Sequence, residues 1–376
     1  MAIELHQHGK LSKVITGYPR SRLKGEWFSL NKCASSILYF GIMWKLLVYL
    51  EKYKIPFFIA TSLRRRLFHR FSLKTSSLID ANSDVIIGLS GFMLEVIQSK
   101  QNSGVMTIVD HGSLHEGTNK KILLEECERF GFPYFGNWKH DWMLKKMQLE
   151  FEYADNIFVC SQLAKKTLVE NGINESKIFV NYLGIDLNKF KFQQKTSSNK
   201  FKFLHVSNMS PVKGLHYIIE AFNELNKIYE NCELWLVGPL PKEKILQKMI
   251  YSNSSIKYFQ AVPEHELVEF YHQCDIFVHP SLSDGWGMTV LQAMSTGLPV
   301  VVSDMTGSSE IVTNDYNGWI VKSRDVKELY EIMEFTLSNK NKLLSMGKNA
   351  NKTVHENYTW QDYGNRLNIW LDKKND

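Results

Sequence analysis

The sequence is poor in cysteine, and its cysteines are not arranged to bind zinc or to form a disulfide framework. The chain has five of them, an odd number, without a Cys-x-x-Cys pair: Cys33, Cys127, Cys160, Cys232 and Cys274. Zinc sites and small disulfide-bonded folds need closely spaced pairs. The simplest expectation is therefore a reducing cytoplasm, where scattered thiols stay free.

Long hydrophobic runs are also absent from the apolar N-terminal region. Its longest stretch without a charged residue, residues 33–44, is far shorter than the roughly 20 apolar residues that a membrane-spanning helix needs. Charged and histidine side chains interrupt the first ten residues, which argues against a cleavable signal peptide. The sequence therefore predicts a cytoplasmic chain that does not cross the membrane.

Acidic residues are scarce in the first fifth of the chain. Residues 1–74 carry a net charge of +11, whereas the remaining residues sum to −5. Within residues 37–74, arginines stand among leucines and phenylalanines, and two interpretations remain open. This segment either makes peripheral contact with the anionic inner face of the cell membrane, or forms domain core with a solvated basic face. Nucleic acid is not an expected partner, because no recognised binding motif accompanies the basic cluster.

Apolar strand patterns alternate with helical patterns along most of the chain. Strand patterns occupy residues 13–17, 84–89, 105–109, 156–160, 178–180, 203–206, 234–237, 256–259, 276–278, 300–302 and 319–321. Such alternation predicts an α/β protein with parallel, doubly wound sheets. A polar stretch rich in Gln, Ser and Lys interrupts the series. We therefore predict two domains and a C-terminal helix, with these limits: 1–190, linker 191–200, 201–358 and helix 359–376.

The most informative segment is residues 278–299, VHPSLSDGWGMTVLQAMSTGLP. An apolar strand stops at Pro280, a polar loop with two glycines follows, and apolar residues then recur at helical spacing until Gly297. Open α/β sheets bind ligands beyond the carboxyl ends of their strands, where a helix N-terminus offers N–H groups to a phosphate. The segment indicates a phosphate-bearing ligand, although an ordinary βα turn has the same pattern.

This segment resembles the signature region of the retaining glycosyltransferases of family 4, which have the GT-B fold. That family carries two acidic residues separated by seven others, followed by Ala-Met, a small residue, Gly and Pro. Here Asp284 and Gln292 occupy the two positions, which are usually glutamate. The resemblance implies two Rossmann-like domains facing a cleft, with the last helix crossing back to the first domain. It also implies that the donor is a nucleotide diphosphate sugar.

Further positions resemble the donor site of that family. Lys213, in SNMSPVKG, matches a donor-phosphate lysine, whereas Asn208 stands where the family has arginine. The resemblance implies that Asp284 meets the sugar hydroxyls and that Gln292 faces the ribose. It also implies that Val262 lines the base through backbone groups. The backbone expected to contact sugar and phosphates belongs to Gly285, Trp286, Gly287 and Met288.

In the first domain, His111 follows an apolar strand and resembles a family residue near the reacting centre. It is expected to hydrogen-bond the transferred sugar or to position the acceptor, with Asp110 orienting an imidazole. A metal site from Asp110, His111, His115 and Glu116 is a weaker alternative, because GT-B enzymes generally need no bound divalent metal. The Asp-x-Asp pair of the alternative glycosyltransferase class is absent. We therefore predict neither a metal nor another cofactor.

Each of these residues also has a simpler structural interpretation. Lys213 is then a surface lysine at a helix start, Asp284 a helix N-cap and Gln292 an exposed helix residue. Glu310, in GSSEIV, matches another family position, but we favour a local capping box with a preceding serine. For Lys213 we favour the functional interpretation, because a cation is poorly placed at a helix N-terminus.

The beginning of the sequence departs from the family pattern. Family members usually open with a strand and a Gly-rich loop, whereas residues 1–11 have the pattern of the first helix and residues 13–19 resemble the second strand. We expect the first strand and its loop to be missing from this sequence. Acceptor binding usually involves this region, so the acceptor cannot be identified from the sequence.

The resemblance predicts a retaining, metal-independent glycosyltransferase that moves a hexose to the hydroxyl of a saccharide or lipid-linked acceptor. Its expected context is the assembly of a cell-surface polysaccharide or glycolipid. Two other functions remain open. Asn208, Gln292 and the missing strand are compatible with a weakly active or inactive relative that acts as a binding or partner subunit. A sugar-nucleotide epimerase would use the same fold and isomerise the donor without an acceptor.

Overall fold

A computed structural model of the chain describes residues 1–19, 33–52, 56–132, 141–194 and 200–375. The strand pairings in these residues are parallel, as the alternating pattern predicts. The elements before the predicted linker are α1 (Ala2–Gln7), β1 (Val14–Thr16), β2 (Ala34–Ser36), α2 (Leu38–Lys52), α3 (Phe57–Leu78), β3 (Val85–Leu89), α4 (Leu94–Lys100), β4 (Met106–His111), α5 (Glu116–Phe130), α6 (Asp141–Tyr153), β5 (Asn156–Val159), α7 (Gln162–Glu170) and β6 (Ile178–Val180).

The strands of this N-terminal domain form two sheets. Four of them pair in the order β3-β4-β5-β6, and β1 and β2 pair separately. The sequence pattern predicts neither this division nor β2, because Ala34-Ser35-Ser36 has no apolar alternation. β4 also continues two residues beyond its predicted end, since His111 still pairs with Val159 of β5.

The C-terminal domain holds one six-stranded sheet. Its elements are β7 (Phe201–Val206), α8 (Leu215–Asn226), β8 (Cys232–Val237), α9 (Lys244–Tyr251), β9 (Ile256–Phe259), α10 (Glu264–Gln273), β10 (Ile276–His279), α11 (Met288–Ser295), β11 (Val300–Ser303), β12 (Gly318–Val321), α12 (Val326–Ser338), α13 (Lys340–Asn357) and α14 (Trp360–Asn375). The strand order is β12-β11-β10-β7-β8-β9, so the chain reverses its direction of travel across the sheet between β7 and β10. The predicted linker falls partly outside the described residues, and its limits stay a prediction.

The last helix, α14, crosses back to the N-terminal domain. Its buried side chains are Tyr363, Leu367 and Leu371. The Trp370 ring lies 4.9 Å from the Phe158 ring and 5.2 Å from the Phe179 ring, measured between centroids. Arg366 Nε donates to Asn181 Oδ1 at 3.0 Å. These contacts confirm the predicted crossing, and aromatic burial supplies much of the attraction.

Helix α5 makes the converse crossing, from the N-terminal domain to the C-terminal domain. The Glu126 side chain is fully buried and accepts hydrogen bonds from His216 Nε2 and Tyr217 OH, each at 2.9 Å. Arg324 Nε lies 2.6 Å from the other carboxylate oxygen. Burial pushes the pKa of Glu126 upward, but these three partners outweigh it and hold the pKa below its usual value. A buried charged network therefore ties the two domains together.

Helices α2 and α3 form a pair joined by aromatic side chains. Phe40 and Trp44 of α2 pack against Phe68 of α3, and Phe40 also contacts Phe71. The opposite surface of α2 remains apolar and exposed. Among the described residues, none of the helices is both long enough and apolar enough to cross a bilayer.

Candidate functional site

The candidate site lies where the C-terminal sheet reverses its strand order. Ligands of doubly wound sheets bind at such a reversal, outside the carboxyl ends of the strands. The loop after β7 carries Lys213 and the loop after β10 carries Asp284, and Lys213 Nζ donates a hydrogen bond to Asp284 Oδ2 at 2.6 Å. The structure thus joins two of the predicted site residues. Lys213 lies at a helix start, as the simpler interpretation also has it, but its ammonium group is paired with Asp284.

Asp284 is held as a carboxylate by two donors. His279 Nε2 donates to the same Oδ2 oxygen at 3.0 Å. Burial pushes the pKa of Asp284 upward, but the charge of Lys213 and the hydrogen bond from His279 outweigh it and hold this pKa well below its usual range. The N-cap interpretation of Asp284 is wrong. Gly287 is the N-cap residue of α11, and no side chain caps that helix start.

A second buried histidine, His205 at the end of β7, lies beside His279. The two imidazole rings stack with their centroids 5.8 Å apart. His205 Nδ1 donates to Val278 O and its Nε2 accepts from Ser207 Oγ, both at 2.8 Å. Burial, followed by the neighbouring His279, lowers the pKa of His205 to about 3. The ring is therefore neutral at neutral pH.

Because His205 is buried with a neutral ring, the stability of the fold is expected to fall in acid. Its folded-state pKa lies below the ordinary value of 6.5, so the stability it contributes is present above that value and is lost as the pH falls toward 3. Linkage gives a loss of about 2 kcal/mol in the free energy of unfolding between pH 7 and pH 5. We expect His205→Gln to reduce this loss in urea unfolding measured at both pH values. An equal loss in the variant would contradict the assignment.

Two glycines of the loop after β10 are required for different reasons. A Cβ on Gly285 would lie 2.5 Å from Gly112 O and 2.8 Å from Ser113 Cα, both in the N-terminal domain. Gly287 has a φ of 82°, in the left-handed region that favours glycine. The first glycine therefore permits the close approach of the two domains, and the second permits the turn into α11.

Two side chains connect the start of α7 to the C-terminal domain. Ser161 Oγ, on the N-cap residue of α7, donates to Gly285 O at 2.7 Å. The Glu310 carboxylate accepts from Gln162 N at 3.0 Å and Leu163 N at 2.8 Å. A carboxylate is favoured there by the unpaired N–H groups and by the helix dipole. The local capping box predicted for Glu310 is therefore wrong, because its side chain caps a helix of the other domain.

His111 ends β4 and is buried inside the N-terminal domain. Its Nδ1 lies 2.9 Å from Ser90 Oγ, and its Nε2 lies 3.3 Å from Leu114 O. Successive residues of a strand face opposite sides, so Asp110 and His111 point to different faces of the sheet. In this geometry His111 holds the loop that approaches the glycine turn. A contact between His111 and a sugar stays a prediction.

The other histidine of this region, His115, caps α5. Its Nδ1 accepts from Gly117 N at 3.1 Å, and its Nε2 lies 3.3 Å from Gln148 Oε1. Both ring nitrogens are thus engaged within the domain. In the part of the chain that the structure describes, no three His, Cys, Asp or Glu side chains are grouped to hold a metal ion. The geometry therefore does not support the metal site considered for Asp110, His111, His115 and Glu116.

Gln292 lies inside α11 rather than on its exposed surface. The residue is only 8% exposed, and its Oε1 accepts a hydrogen bond from Tyr271 OH at 2.9 Å. The interpretation of Gln292 as an exposed helix residue is therefore wrong. Whether the side chain also meets a ribose stays a prediction.

The remaining predicted residues belong to the C-terminal domain. Trp286 is buried, with its ring centroid 5.2 Å from that of Tyr182. Val262 and Met288 are partly buried and pack against the core that contains Trp286. Asn208 is exposed in the loop after β7. All four residues belong to the second half of the chain. Their contacts with a ligand stay predictions.

Sequence reasoning missed several residues that shape the site. His279 stands inside the segment that carries the resemblance, and a polar residue ending an apolar strand was the available signal. Ser161, the N-cap residue of α7, also donates to Gly285 O across 124 positions. Ser283 donates to Asn119 Oδ1 across 164 positions. No local pattern indicates contacts over such separations.

Known proteins resemble this chain in sequence. Residues 186–353 match the family model described as glycosyl transferases group 1. An uncharacterized glycosyltransferase of Methanocaldococcus jannaschii is 25% identical, over 83% of this chain and 79% of that protein. The capsular polysaccharide biosynthesis glycosyltransferase CapM of Staphylococcus aureus is 24% identical, over 64% and 67%. The N,N'-diacetylbacillosaminyl-diphospho-undecaprenol alpha-1,3-N-acetylgalactosaminyltransferase of Campylobacter jejuni is 27% identical, over 54% and 56%.

Solved structures share the fold. HepE of Anabaena, in complex with UDP and glucose, superposes with a TM-score of 0.64 at 19% identity, over 82% of each chain. The sucrose-phosphate synthase of Thermosynechococcus elongatus superposes with a TM-score of 0.68 at 16% identity, over 82% of this chain and 79% of that one. Two parallel α/β domains facing a cleft define a protein of the GT-B class. Residues 186–353 resemble the glycosyl transferases group 1, and the relatives named above are glycosyltransferases.

Proposed function

We propose that the protein transfers a hexose from a nucleotide diphosphate sugar to an acceptor hydroxyl, with retention of configuration at the sugar carbon. The observation that carries the proposal is the Lys213–Asp284 pair beyond the carboxyl ends of β7 and β10. The diphosphate of such a donor needs positive charge, and its sugar hydroxyls need an acceptor. The pair offers one of each, side by side.

In this proposal the positive groups of the site stabilise the leaving diphosphate. Lys213 supplies a charge, and the N-terminal turn of α11 supplies backbone N–H groups and the positive end of its dipole. Asp284 accepts hydrogen bonds from the sugar once Lys213 turns toward the phosphates. The acceptor hydroxyl then attacks the sugar carbon on the face from which the diphosphate departs, and its proton passes to the departing diphosphate oxygen. Neither a covalent nucleophile nor a divalent metal is needed. Full activity in excess EDTA is the matching expectation.

A panel of nucleotide sugars tests the proposal. A ligand that binds the native state alone raises the unfolding midpoint, so UDP-, GDP- and ADP-sugars are compared by thermal shift. We expect one base to produce a selective shift, and the anomeric configuration of the product, read by NMR, then tests retention. No shift with any member of the panel, for a folded protein, would contradict donor binding.

Gly285→Ala is expected to lower the rate of sugar transfer by about tenfold or more, because the added Cβ forces the facing loop away from the site. Steady-state kinetics with a saturating donor measure this effect. The matched control is Gly112→Ala, since a Cβ on Gly112 would meet nothing within 4 Å. Equal rates for the two variants would show that this close approach does not limit transfer.

The proposed context is the assembly of a cell-surface polysaccharide or glycolipid, on a saccharide or lipid-linked acceptor. Relatives named for capsular polysaccharide biosynthesis and for transfer to a diphospho-undecaprenol compound support it. Incubation of the protein with the selected donor and with undecaprenyl-diphosphate-linked saccharides tests this context. Transfer to free saccharides alone would contradict a lipid-linked acceptor.

A weakly active partner subunit is the second candidate, and the engagement of Gln292 with Tyr271 favours it. If position 292 faces the ribose, Gln292→Glu is expected to tighten donor binding several-fold, because a carboxylate forms the stronger hydrogen bond to a hydroxyl. Isothermal titration calorimetry measures the change, and unaltered affinity would remove this residue from the donor site.

Donor binding without turnover would favour the partner subunit, and isomerised donor without acceptor would favour an epimerase.

We further propose peripheral membrane contact through residues 37–74, at the inner face of the cell membrane. This segment holds eight Lys and Arg residues and one acidic residue. Its exposed apolar side chains include Ile42 at 65% and Phe58 at 72% of their full accessible surface. Apolar and basic side chains on one helical pair suit the interface of an anionic bilayer.

Vesicle co-sedimentation tests the membrane contact. Wild-type protein is expected to sediment with phosphatidylglycerol vesicles more than with phosphatidylcholine vesicles, because Arg65, Arg66 and Arg70 are exposed. Triple replacement of these arginines with glutamate should abolish the difference. Equal binding of both proteins to both vesicles would support the alternative, a solvated basic face.

A further inference from the structure

His279 occupies a rigid, buried position at the base of the candidate site. It is the last residue of β10, the strand that leads directly into the Asp284 loop, and it is 1% exposed. Its imidazole is nearly parallel to two neighbouring rings, that of His205, with centroids 5.8 Å apart and planes at 21°, and that of Phe277, at 6.0 Å and 14°. These stacked neighbours leave the ring little freedom to rotate.

The polar contact of this ring is directed to one atom of the site. His279 Nε2 donates to Asp284 Oδ2 at 3.0 Å, and its Nδ1 is buried without a hydrogen-bond partner. A buried polar atom without a partner is costly and rare in folded proteins. A leucine or phenylalanine would fill this place without that cost. Asp284 is therefore the group that accounts for a histidine here.

Lys213 shares the same oxygen of Asp284 but is held very differently. Its ammonium group stands at the end of a flexible four-carbon chain, on the last residue of the short 3-10 helix Pro211–Lys213, and its side chain is 24% exposed. A diphosphate entering the site would compete for this ammonium group. Asp284 would then lose its closest partner at the moment when its carboxylate has to meet the sugar hydroxyls.

We propose that His279 is a positioning residue of the donor site. Its fixed Nε2–H holds the Asp284 carboxylate in place for the sugar while Lys213 turns to the diphosphate. The inference rests on the proposed function and extends it to a residue that does not itself touch the donor. It predicts that His279 matters for recognition of the sugar and has little influence on recognition of the nucleoside diphosphate.

The protonation of the ring agrees with this role. Burial lowers the pKa of His279, the adjacent Asp284 raises it and Lys213 lowers it again, with a net lowering. The imidazole is therefore neutral and carries one proton. Because Asp284 accepts at Nε2, that proton resides on Nε2.

Two variants separate positioning from packing. Gln places an amide nitrogen near the position of Nε2 and keeps the donor, whereas Phe keeps a flat ring beside His205 and Phe277 and loses the donor. The probes are the nucleotide sugar that most raises the wild-type midpoint in the panel and the corresponding nucleoside diphosphate. Dissociation constants for both probes are measured by calorimetry for wild type, His279→Gln and His279→Phe.

We expect His279→Phe to weaken binding of the nucleotide sugar about tenfold, the effect of one charged hydrogen bond, and binding of the nucleoside diphosphate less than about twofold. His279→Gln should restore the wild-type ratio of the two constants. Equal weakening of both probes by Phe, or no recovery with Gln, would overturn the positioning role while leaving the proposed function intact. Failure of the wild-type protein to bind any probe would instead overturn the proposed function, and this inference with it.

Discussion

Replacing Lys213 with alanine is expected to weaken binding of a nucleotide diphosphate sugar by about 10- to 100-fold, the range of a charged hydrogen bond. Lys213 Nζ lies 2.6 Å from Asp284 at the strand-order reversal, where a diphosphate would enter. The nearby Asn208 brings no second cation, so the loss is not compensated in that loop. Calorimetric titration with the donor selected by thermal shift measures the change.

The matched control for this variant is Lys227→Ala. Lys227 also carries one positive charge and also bonds a carboxylate, that of Glu224, but it is exposed on the far end of α8. Its loss should leave donor affinity unchanged, which separates a local effect from one of net charge. The fold of Lys213→Ala should persist, because His279 still donates to Asp284. Wild-type affinity in Lys213→Ala would remove this lysine from the donor site.

Replacing Glu126 with alanine is expected to lower the free energy of unfolding by about 3–5 kcal/mol, the cost of breaking a buried ion pair. The carboxylate is fully buried, accepts hydrogen bonds from His216 and Tyr217, and pairs with Arg324. All three would lose a partner in the variant. Because α5 is attached to the C-terminal domain through this network, the variant should also loosen the contact between the domains. Thermal unfolding should show a midpoint lowered by about 5 °C or more.

Glu125→Ala is the control, because the neighbouring Glu125 bonds the same arginine from the surface. Its carboxylate lies 2.9 Å from Arg324 Nη1 and is 38% exposed. Exposed ion pairs contribute about 1 kcal/mol or less, so the midpoint should hardly change. Similar unfolding midpoints for Glu126→Ala and Glu125→Ala would show that the buried carboxylate of Glu126 adds no more stability than the exposed one of Glu125.

The fold class could be predicted because parallel strands that are covered on both faces appear in the sequence as short apolar runs. The helices between them show the hydrophobic period of about 3.6 residues. The pattern of residues 278–299 contained the strand, the glycine turn and the start of α11 in the order that the structure has them. Of its two glycines, Gly287 follows from a local backbone requirement, whereas Gly285 is required by the approach of the N-terminal domain. The resemblance to glycosyltransferases was also present in these residues, and the match of residues 186–353 to the group 1 family confirms it.

Side-chain partners could not be predicted in the same way. Local rules favoured a capping box for Glu310 and offered an exposed helix position as the simpler interpretation of Gln292, and neither holds. Glu310 instead caps α7 of the other domain, and Gln292 bonds Tyr271 on a neighbouring helix. Helical periodicity tells which residues share a face, but it does not tell what that face meets.

The sequence by itself determined the alternation of strands and helices, the position of the glycine turn and the class of chemistry that its residues resemble. These depend on backbone preferences and on burial, which act over a few neighbouring residues. Tertiary structure alone decided that Lys213 and His279 both donate to one carboxylate oxygen of Asp284, and that Glu126 joins the two domains. The Lys213–Asp284 and Glu126–His216 contacts join residues 71 and 90 positions apart, and their geometry exists only after the sheets have packed. For that reason the turn can be read from the sequence, whereas the network of charges around it cannot.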